Sequence, residues 1–551
     1  MDTTTRSFEL GARVLKARPA ISTRVVVGLS LLVLLGPFFV AEIPPLTDYP
    51  NHLARFWLLA GGARDPAMAP FYQIDWSSAS TNVGVDVVVA ALSPLVAGTT
   101  SGRFAMILAA LLPPLGLLAL SLRLSGRLTS WQAVFPLAAW STTFLMGFLN
   151  FQIGLGLALL FSALDPLARP GSRRIGALLR IPFGLVLAAD HLCALVFYAA
   201  LLAALGIGPE PLTTRRWRAL ASRLLRGALA AAWCAAPLAM TVLFARTLPG
   251  AQTDGGLSEV RFDALPAKLA TLISPLITYN LGLELLLALG LLALVLWLRA
   301  RRALEVHTGL AVAAAALVCV AIAAPTFAAG TGWVDRRFPI MALLSILAAL
   351  QLRRTAPRTL VLAVGLAALA LVTLKTAWVA WNWNAAEPNI AATRRALESV
   401  PAGAAVLPLQ HTPTFAVKWS APAGRYIWQV GDLTFRHYPA LAVPLRRAFV
   451  PTLFVARGKQ PLRVRGAWDR IVEHDGVELS SISVLSRPRR ANDPSYLAQW
   501  RSHFDYILIL NADLPDADGP FRPPLGIQLI SDQGFAQLWR ITRPAPAQHP
   551  S

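Results

Sequence analysis

The chain has 551 residues, of which 55% are hydrophobic and only 14% charged, against about 25% charged in soluble domains. That composition excludes a cytosolic enzyme and a disordered chain. Three cysteines, Cys193, Cys234 and Cys319, all inside apolar stretches, exclude a disulfide scaffold and a paired-cysteine metal site. The 50 Lys+Arg against 29 Asp+Glu give a net charge of +21, but the basic residues come in short clusters between apolar runs, a mark of membrane topology and not of nucleic-acid binding.

The first apolar run, 25–43, has 19 residues and follows Arg6, Arg13, Lys16, Arg18 and Arg24. At 1.5 Å per residue it covers about 28 Å, enough to cross the hydrocarbon. It ends in Ala-Glu-Ile-Pro-Pro without a small-x-small cleavage site, so it reads as a retained anchor with its N-terminus inside. Ten further spans are predicted near 102–122, 130–147, 149–167, 174–189, 191–207, 227–245, 281–298, 308–328, 338–352 and 359–380. The pair within 174–207, which contains Arg180 and Pro182, reads as two crossings or a short hairpin; either leaves the C-terminus outside. The stretch 83–97 is only 15 residues long and contains Asp86 and Pro94, so it is laid flat in the outer interface. With this topology the inner pieces hold 21 basic residues and the outer ones, the tail aside, hold eight. The positive-inside bias is strong.

Three outer segments result: 44–101, 246–280 and the tail 382–551. The first contains Thr47-Asp48-Tyr49-Pro50-Asn51-His52, and from Asn51 the spacing of Leu53, Phe56, Trp57 and Ala60 predicts an amphipathic helix lying on the bilayer, with Trp57 at headgroup depth. The second contains Asp254-Gly255-Gly256, Glu259, Arg261, Asp263 and Lys268. The tail alternates short hydrophobic segments with Pro/Gly-rich turns and reads as a small α/β domain, with helices at 387–400 and 495–503 and strands around 404–407 and 504–511. The fold class is a polytopic α-helical membrane protein of about 11 transmembrane helices, a 1–381 membrane module followed by an extracytoplasmic α/β domain. No internal repeat, P-loop, G-x-G-x-x-G or H-E-x-x-H motif is present.

Asp48 stands out because a carboxylate a few residues past the first span can meet both a lipid-anchored molecule and water. Ahead of a helix starting near Pro50, it reads either as a general base, with His52 orienting a ligand or phosphate, or as a helix cap beside a packed histidine. Glu42 lies six residues upstream, and with Asp48 could share a divalent ion such as Mg²⁺ or Mn²⁺ or line one cleft. Arg55 and Asp86 in the same segment are further candidates for substrate contacts. Asp190-His191 interrupts an apolar stretch at a hairpin end, and Asn150 lies at the end of another, where both could line the same cleft or serve as helix caps. Arg336 and Arg337 depart from the positive-inside trend on a short outer loop. A polyprenyl phosphate would account for them, as would anionic lipid headgroups; Arg261 and Lys268 are alternatives for the same role.

The pattern resembles the GT-C superfamily of integral-membrane glycosyltransferases, which includes protein O-mannosyltransferases and lipid A aminoarabinose transferases. The likeness rests on the acidic residue in Thr47-Asp48-Tyr49-Pro50-Asn51-His52, on the stretch from Val83 through Gly98 to Arg103-Phe104, on the 246–280 loop and on a C-terminal outer domain. Gly147-Phe148-Leu149-Asn150-Phe151 is similar to that of bacterial membrane proteins in this group. There is no adjacent acidic pair or D-x-D in the first loop. The resemblance implies an inner-membrane enzyme facing the periplasm, with Asp48 as base of an inverting sugar transfer from a polyprenyl-phosphate donor to a lipid, glycan or protein acceptor. A polysaccharide or lipid transporter, an O-antigen-type polymerase or ligase, and a scaffold presenting the tail are the competing readings.

Overall fold

The computed structural model describes residues 21–168, 174–212, 217–247, 259–328, 331–428, 431–456, 458–476 and 478–542. The basic residues before position 21, Arg169, Arg173, Arg215, Arg216 and the Asp254-Gly255-Gly256 stretch lie outside them. The chain is mostly helical and ends in a mixed sheet. Its helices are α1 (Ile21–Val33), α2 (Tyr49–Leu59), α3 (Gly84–Leu92), α4 (Gly98–Ser125), α5 (Leu149–Leu164), α6 (Arg180–Asp190), α7 (Leu192–Ile207), α8 (Trp217–Ala232), α9 (Ala235–Thr247), α10 (Leu281–Ala300), α11 (Thr308–Ala323), α12 (Arg337–Ala349) and α13 (Arg358–Leu397), with shorter turns between.

Among the described residues, four stretches are long and apolar enough to cross a membrane: α4, α10, α13 and Trp217–Phe244, in which α8 runs into α9. The protein is therefore a membrane protein by composition and by helix length. α5, α7, α11 and α12 are equally apolar but have only 13 to 16 residues. The stretch predicted as a span at 130–147 is not a regular α-helix. It is a buried 3-10 segment, Ser130–Ala139, closed at its start by a Thr129/Gln132 capping box, followed by the short helix Thr142–Leu145. Pro136 lies inside that segment and supplies no N–H for an α-helical bond. At about 1.5 Å per residue, the nine-residue α3 reaches only roughly half of a bilayer core, as expected for a segment that does not span.

Two further expectations are corrected. α2 does not lie with one face in water: every residue of it except Trp57 is buried, between α4, α3 and the tail. The helix expected at 387–400 is the end of the 40-residue α13, which runs unbroken past Pro388 and across the 381/382 boundary. Trp378 and Trp381 stack at 4.9 Å on this helix, with Trp381 half exposed. The 495–503 region holds only a 3-10 turn and the four-residue helix Trp500–His503.

The tail strands are β2 (Val406–Gln410), β4 (Ser480–Ser481), β5 (Tyr506–Leu510), β6 (Ile527–Asp532) and β7 (Ala536–Ile541), in the order β6-β7-β5-β2-β4. β2 and β5, the two runs legible in sequence, form its buried parallel centre. A separate antiparallel pair joins β1 (Tyr72–Ile74) to β3 (Leu462–Val464), so the 44–101 segment and the tail are stitched by backbone bonds and share one hydrophobic core.

A second core fills the helical bundle. There Glu284, at the start of α10, accepts the backbone N–H groups of Thr278, Tyr279 and Asn280, and Lys375 of α13 pairs with it in full burial. Removing one member strands a buried charge, which costs about 3–5 kcal/mol. Lys375→Met is expected to lower the thermal midpoint of the detergent-purified protein by several degrees, and adding Glu284→Gln should restore part of the loss; equal midpoints for all three proteins would refute this pairing.

Candidate functional site

The Thr47-Asp48 segment is clamped against the turn before α5. The N–H groups of Thr47 and Asp48 donate to the Leu145 and Met146 carbonyls at 2.9 and 3.0 Å. Gly147 makes this possible. It has φ of +84°, and a Cβ there would come within 3.0 Å of the Asp48 backbone nitrogen. Asp48 thus occupies the residue before α2, but its side chain makes no capping bond to that helix. The capping alternative does not hold.

The tail covers the same segment. Thr47 Oγ1 donates to the Leu433 carbonyl, and the stretch 431–437 brings Asp432, Arg436 and His437 over Asp48. His437 Nε2 faces Asp48 Oδ1 at 3.5 Å. Asn51 fixes which tautomer this histidine adopts. Its own amide is set by donating to the Thr452 carbonyl and accepting from the Phe454 N–H, which leaves Nδ2 directed at His437 Nδ1, 3.3 Å away. With Nδ1 accepting, Nε2 carries the proton and points it toward the carboxylate. Burial and the neighbouring Arg436 push the His437 pKa down to about 3, so the ring is neutral.

A chain of ion pairs continues from there. Arg336 Nη1 pairs with Asp432 at 2.7 Å, and Arg436 Nη2 lies 3.3 Å from Asp432 and 3.1 Å from Glu478. The Trp333 ring carries both guanidinium groups, at 5.7 and 5.1 Å. Arg337 donates to the Gly332 and Trp333 carbonyls and stacks over Phe148 at 4.7 Å. Of the two loop arginines it is Arg337 that acts on the Asp48 carboxylate, together with Arg436 of the tail. Burial outweighs them and raises its pKa to about 7, so Asp48 exchanges a proton near neutrality.

His52 Nε2 lies 3.0 Å from the Gly147 carbonyl and can only donate to it, which leaves Nδ1 as a buried acceptor with no hydrogen-bond partner among the described residues. A neutral ring in this tautomer can orient a hydroxyl but cannot donate to a phosphate from Nδ1. Burial and Arg55 hold its pKa well below the usual histidine range. Arg55, one turn further along α2, uses Nε for a buried 2.8 Å pair with Asp86 of α3, while Nη1 and Nη2 have no partner among the described residues.

The other predicted residues are placed differently. Asn150 receives the Val85 N–H and donates to Asn82, and the Asp190 carboxylate lodges against Gly84 and Gly154, so the two meet at the start of α3 and not in an open cleft. His191 caps α7 through the Cys193 N–H and meets Phe151 edge-on. Lys268 is buried against Asp335 at 2.7 Å and anchors the Arg336 loop. Arg261 is exposed, paired with Glu259 and stacked on Phe327. Glu42 pairs with Arg394 at the surface, whereas Asp48 is buried beside His437, so the proposed carboxylate pair does not form a metal site. Among the described residues no group of three His, Cys, Asp or Glu side chains is placed to hold a metal ion.

Sequence reasoning missed Asp432, Arg436 and His437. Their only signal is a polar and aromatic run, Asp432-Leu433-Thr434-Phe435-Arg436-His437-Tyr438-Pro439, in a tail otherwise read for its strands. Protein-family models scanned with this sequence give no match, and neither do curated proteins.

The raised pKa has a consequence for stability. A carboxyl titrating near 7 when folded and near 4 when unfolded binds its proton more tightly in the folded state, so folding is penalised as pH rises. The penalty is complete above pH 7, on the order of 4 kcal/mol, and disappears below about pH 4. Asp48→Asn is expected to melt higher than wild type at pH 8, with the difference shrinking toward pH 5. Thermal unfolding at the two pH values checks it, and a variant that melts lower at pH 8 would contradict the buried, costly carboxylate.

Proposed function

We propose that the protein is a membrane glycosyltransferase of GT-C type that transfers a sugar from a polyprenyl-phosphate donor to an acceptor hydroxyl, with inversion, at a site facing the periplasm. The observation that carries this reading is a buried carboxylate titrating near 7 inside a frame of arginines, contributed by the 44–101 segment, the Arg336 loop and the tail. A base with a pKa near the working pH combines a populated ionised form with useful proton affinity.

In this reading the acceptor oxygen attacks the anomeric carbon and its proton passes to Asp48. The bond from that carbon to the phosphate oxygen breaks, and its electron pair leaves with the phosphate. The anomeric centre gains oxocarbenium character on the way. His437, neutral with Nε2–H toward Asp48, steadies the ionised carboxylate, and His52 Nδ1 accepts from a sugar or acceptor hydroxyl. Arg55 supports recognition of the departing phosphate, because its two outer nitrogens are buried and unclaimed among the described residues, whereas Arg336 and Arg337 already have protein partners. The membrane spans hold the lipid carrier, with the N-terminus cytoplasmic. The acceptor is a lipid, glycan or protein.

Asp48→Asn is expected to lower transfer from a radiolabelled polyprenyl-phosphate sugar by about 10²–10⁴ while leaving expression and gel-filtration behaviour unchanged. Wild-type kcat/KM should rise with pH and level off above about 7, since the base must be ionised. Arg436→Gln removes the positive charge that most lowers the Asp48 pKa and should move this limb to higher pH. Full transfer by Asp48→Asn would end the proposal.

A further inference from the structure

The tail contains a cleft of about 300 Å³ whose lining, between Val484 and Arg501, includes none of the residues around Asp48. Its lining has two parts. Leu497 is buried and Val484, Leu485 and Trp500 are partly buried, forming an apolar floor, while Arg489 and Arg501 are exposed at its edge. Three arginines line it against one aspartate, Asp493.

That aspartate is already matched. Arg487 grips it with two bonds of 2.8 and 2.6 Å, and the Arg490 N–H adds a third. This holds the Asp493 carboxyl down at about 2, so the pair stays ionised and fixed at any pH a cell envelope meets. The charges of Arg487 and Asp493 cancel, leaving Arg489 and Arg501 in excess. Arg501 is pre-set: it donates to the Leu525 carbonyl at 2.7 Å and stacks over Trp500 at 4.5 Å. Arg489 has no side-chain partner among the described residues.

We propose that this cleft binds an anionic saccharide, a sugar unit carrying a carboxylate or phosphate. The apolar floor takes the C–H face of the ring, and the planar forks of Arg489 and Arg501 take the anionic group. The volume is at the lower end of small-ligand pockets, enough for one or two sugar units and too small for a folded partner's side. The site goes beyond the transfer chemistry and does not depend on it: it gives the tail a role in holding an acidic glycan whether or not Asp48 is a base.

The test is binding to the full-length protein in detergent, by calorimetry, with three probes: tetragalacturonate, glucose 6-phosphate and neutral maltotetraose. At least one acidic probe is expected to bind ten times more tightly than the neutral one, with the preferred probe identifying the anionic group, and the affinity should fall several-fold between 50 and 500 mM salt. Arg489→Glu, an exposed change, should weaken the acidic probe tenfold or more, and Trp500→Ala should do the same if it folds. Equal affinity for acidic and neutral probes, no binding at millimolar concentration, or an unchanged affinity in Arg489→Glu would each overturn the assignment.

Discussion

The contact between the Thr47-Asp48 backbone and the Leu145–Gly147 turn is the constraint on which the site depends. Two hydrogen bonds, and the lack of a side chain at Gly147, let the segment that leads into α2 lie directly on the turn before α5. Asp48 is then buried by geometry alone, and every electrostatic property of the site follows from that. Burial raises its proton affinity, Arg337 and Arg436 partly offset it, and the neutral His437 completes the surroundings. A larger residue at position 147 would have to displace the segment that carries the carboxylate.

The tail is as much a part of this site as the helical bundle. It supplies Asp432, Arg436 and His437, and its loop is held from both directions. Trp428 donates from its backbone to Thr278 and from its indole to Thr142, and Arg425 reaches Asn389 of α13 and Asp513 beside the sheet. Thr278 in turn belongs to the Glu284–Lys375 network. The buried ion pair in the bundle therefore supports the loop over Asp48, although it touches nothing reactive.

Much of this was legible in the sequence where the signal was local. The long apolar helices, the short α3, the β2 and β5 strands and the singular position of Asp48 all follow from composition and spacing over a few residues. Arg336 and Arg337 stood out because they break the positive-inside trend, but nothing local showed that Arg337 acts on Asp48. What escaped was set by tertiary contact. The face pattern of α2 is amphipathic, but a helix roofed by the tail has no exposed side to use it. Arg261 and Lys268 looked alike as loop cations, yet one finds Glu259 in water and the other a buried Asp335. His437 lies 389 positions after Asp48, a separation over which spacing carries no information.

The unbroken course of α13 fixes one dimension that no loop could fix. Counted from Trp381, whose indole suits the boundary between lipid and water, sixteen helical residues remain, a column of roughly 24 Å. Gly424 of the tail rests against this column at Asn382, at its foot, and the Arg425 guanidinium is tied to Asn389 two turns higher. The loop over the carboxylate is thus mounted on a rigid post, and its distance from Trp381 is a property of helix pitch.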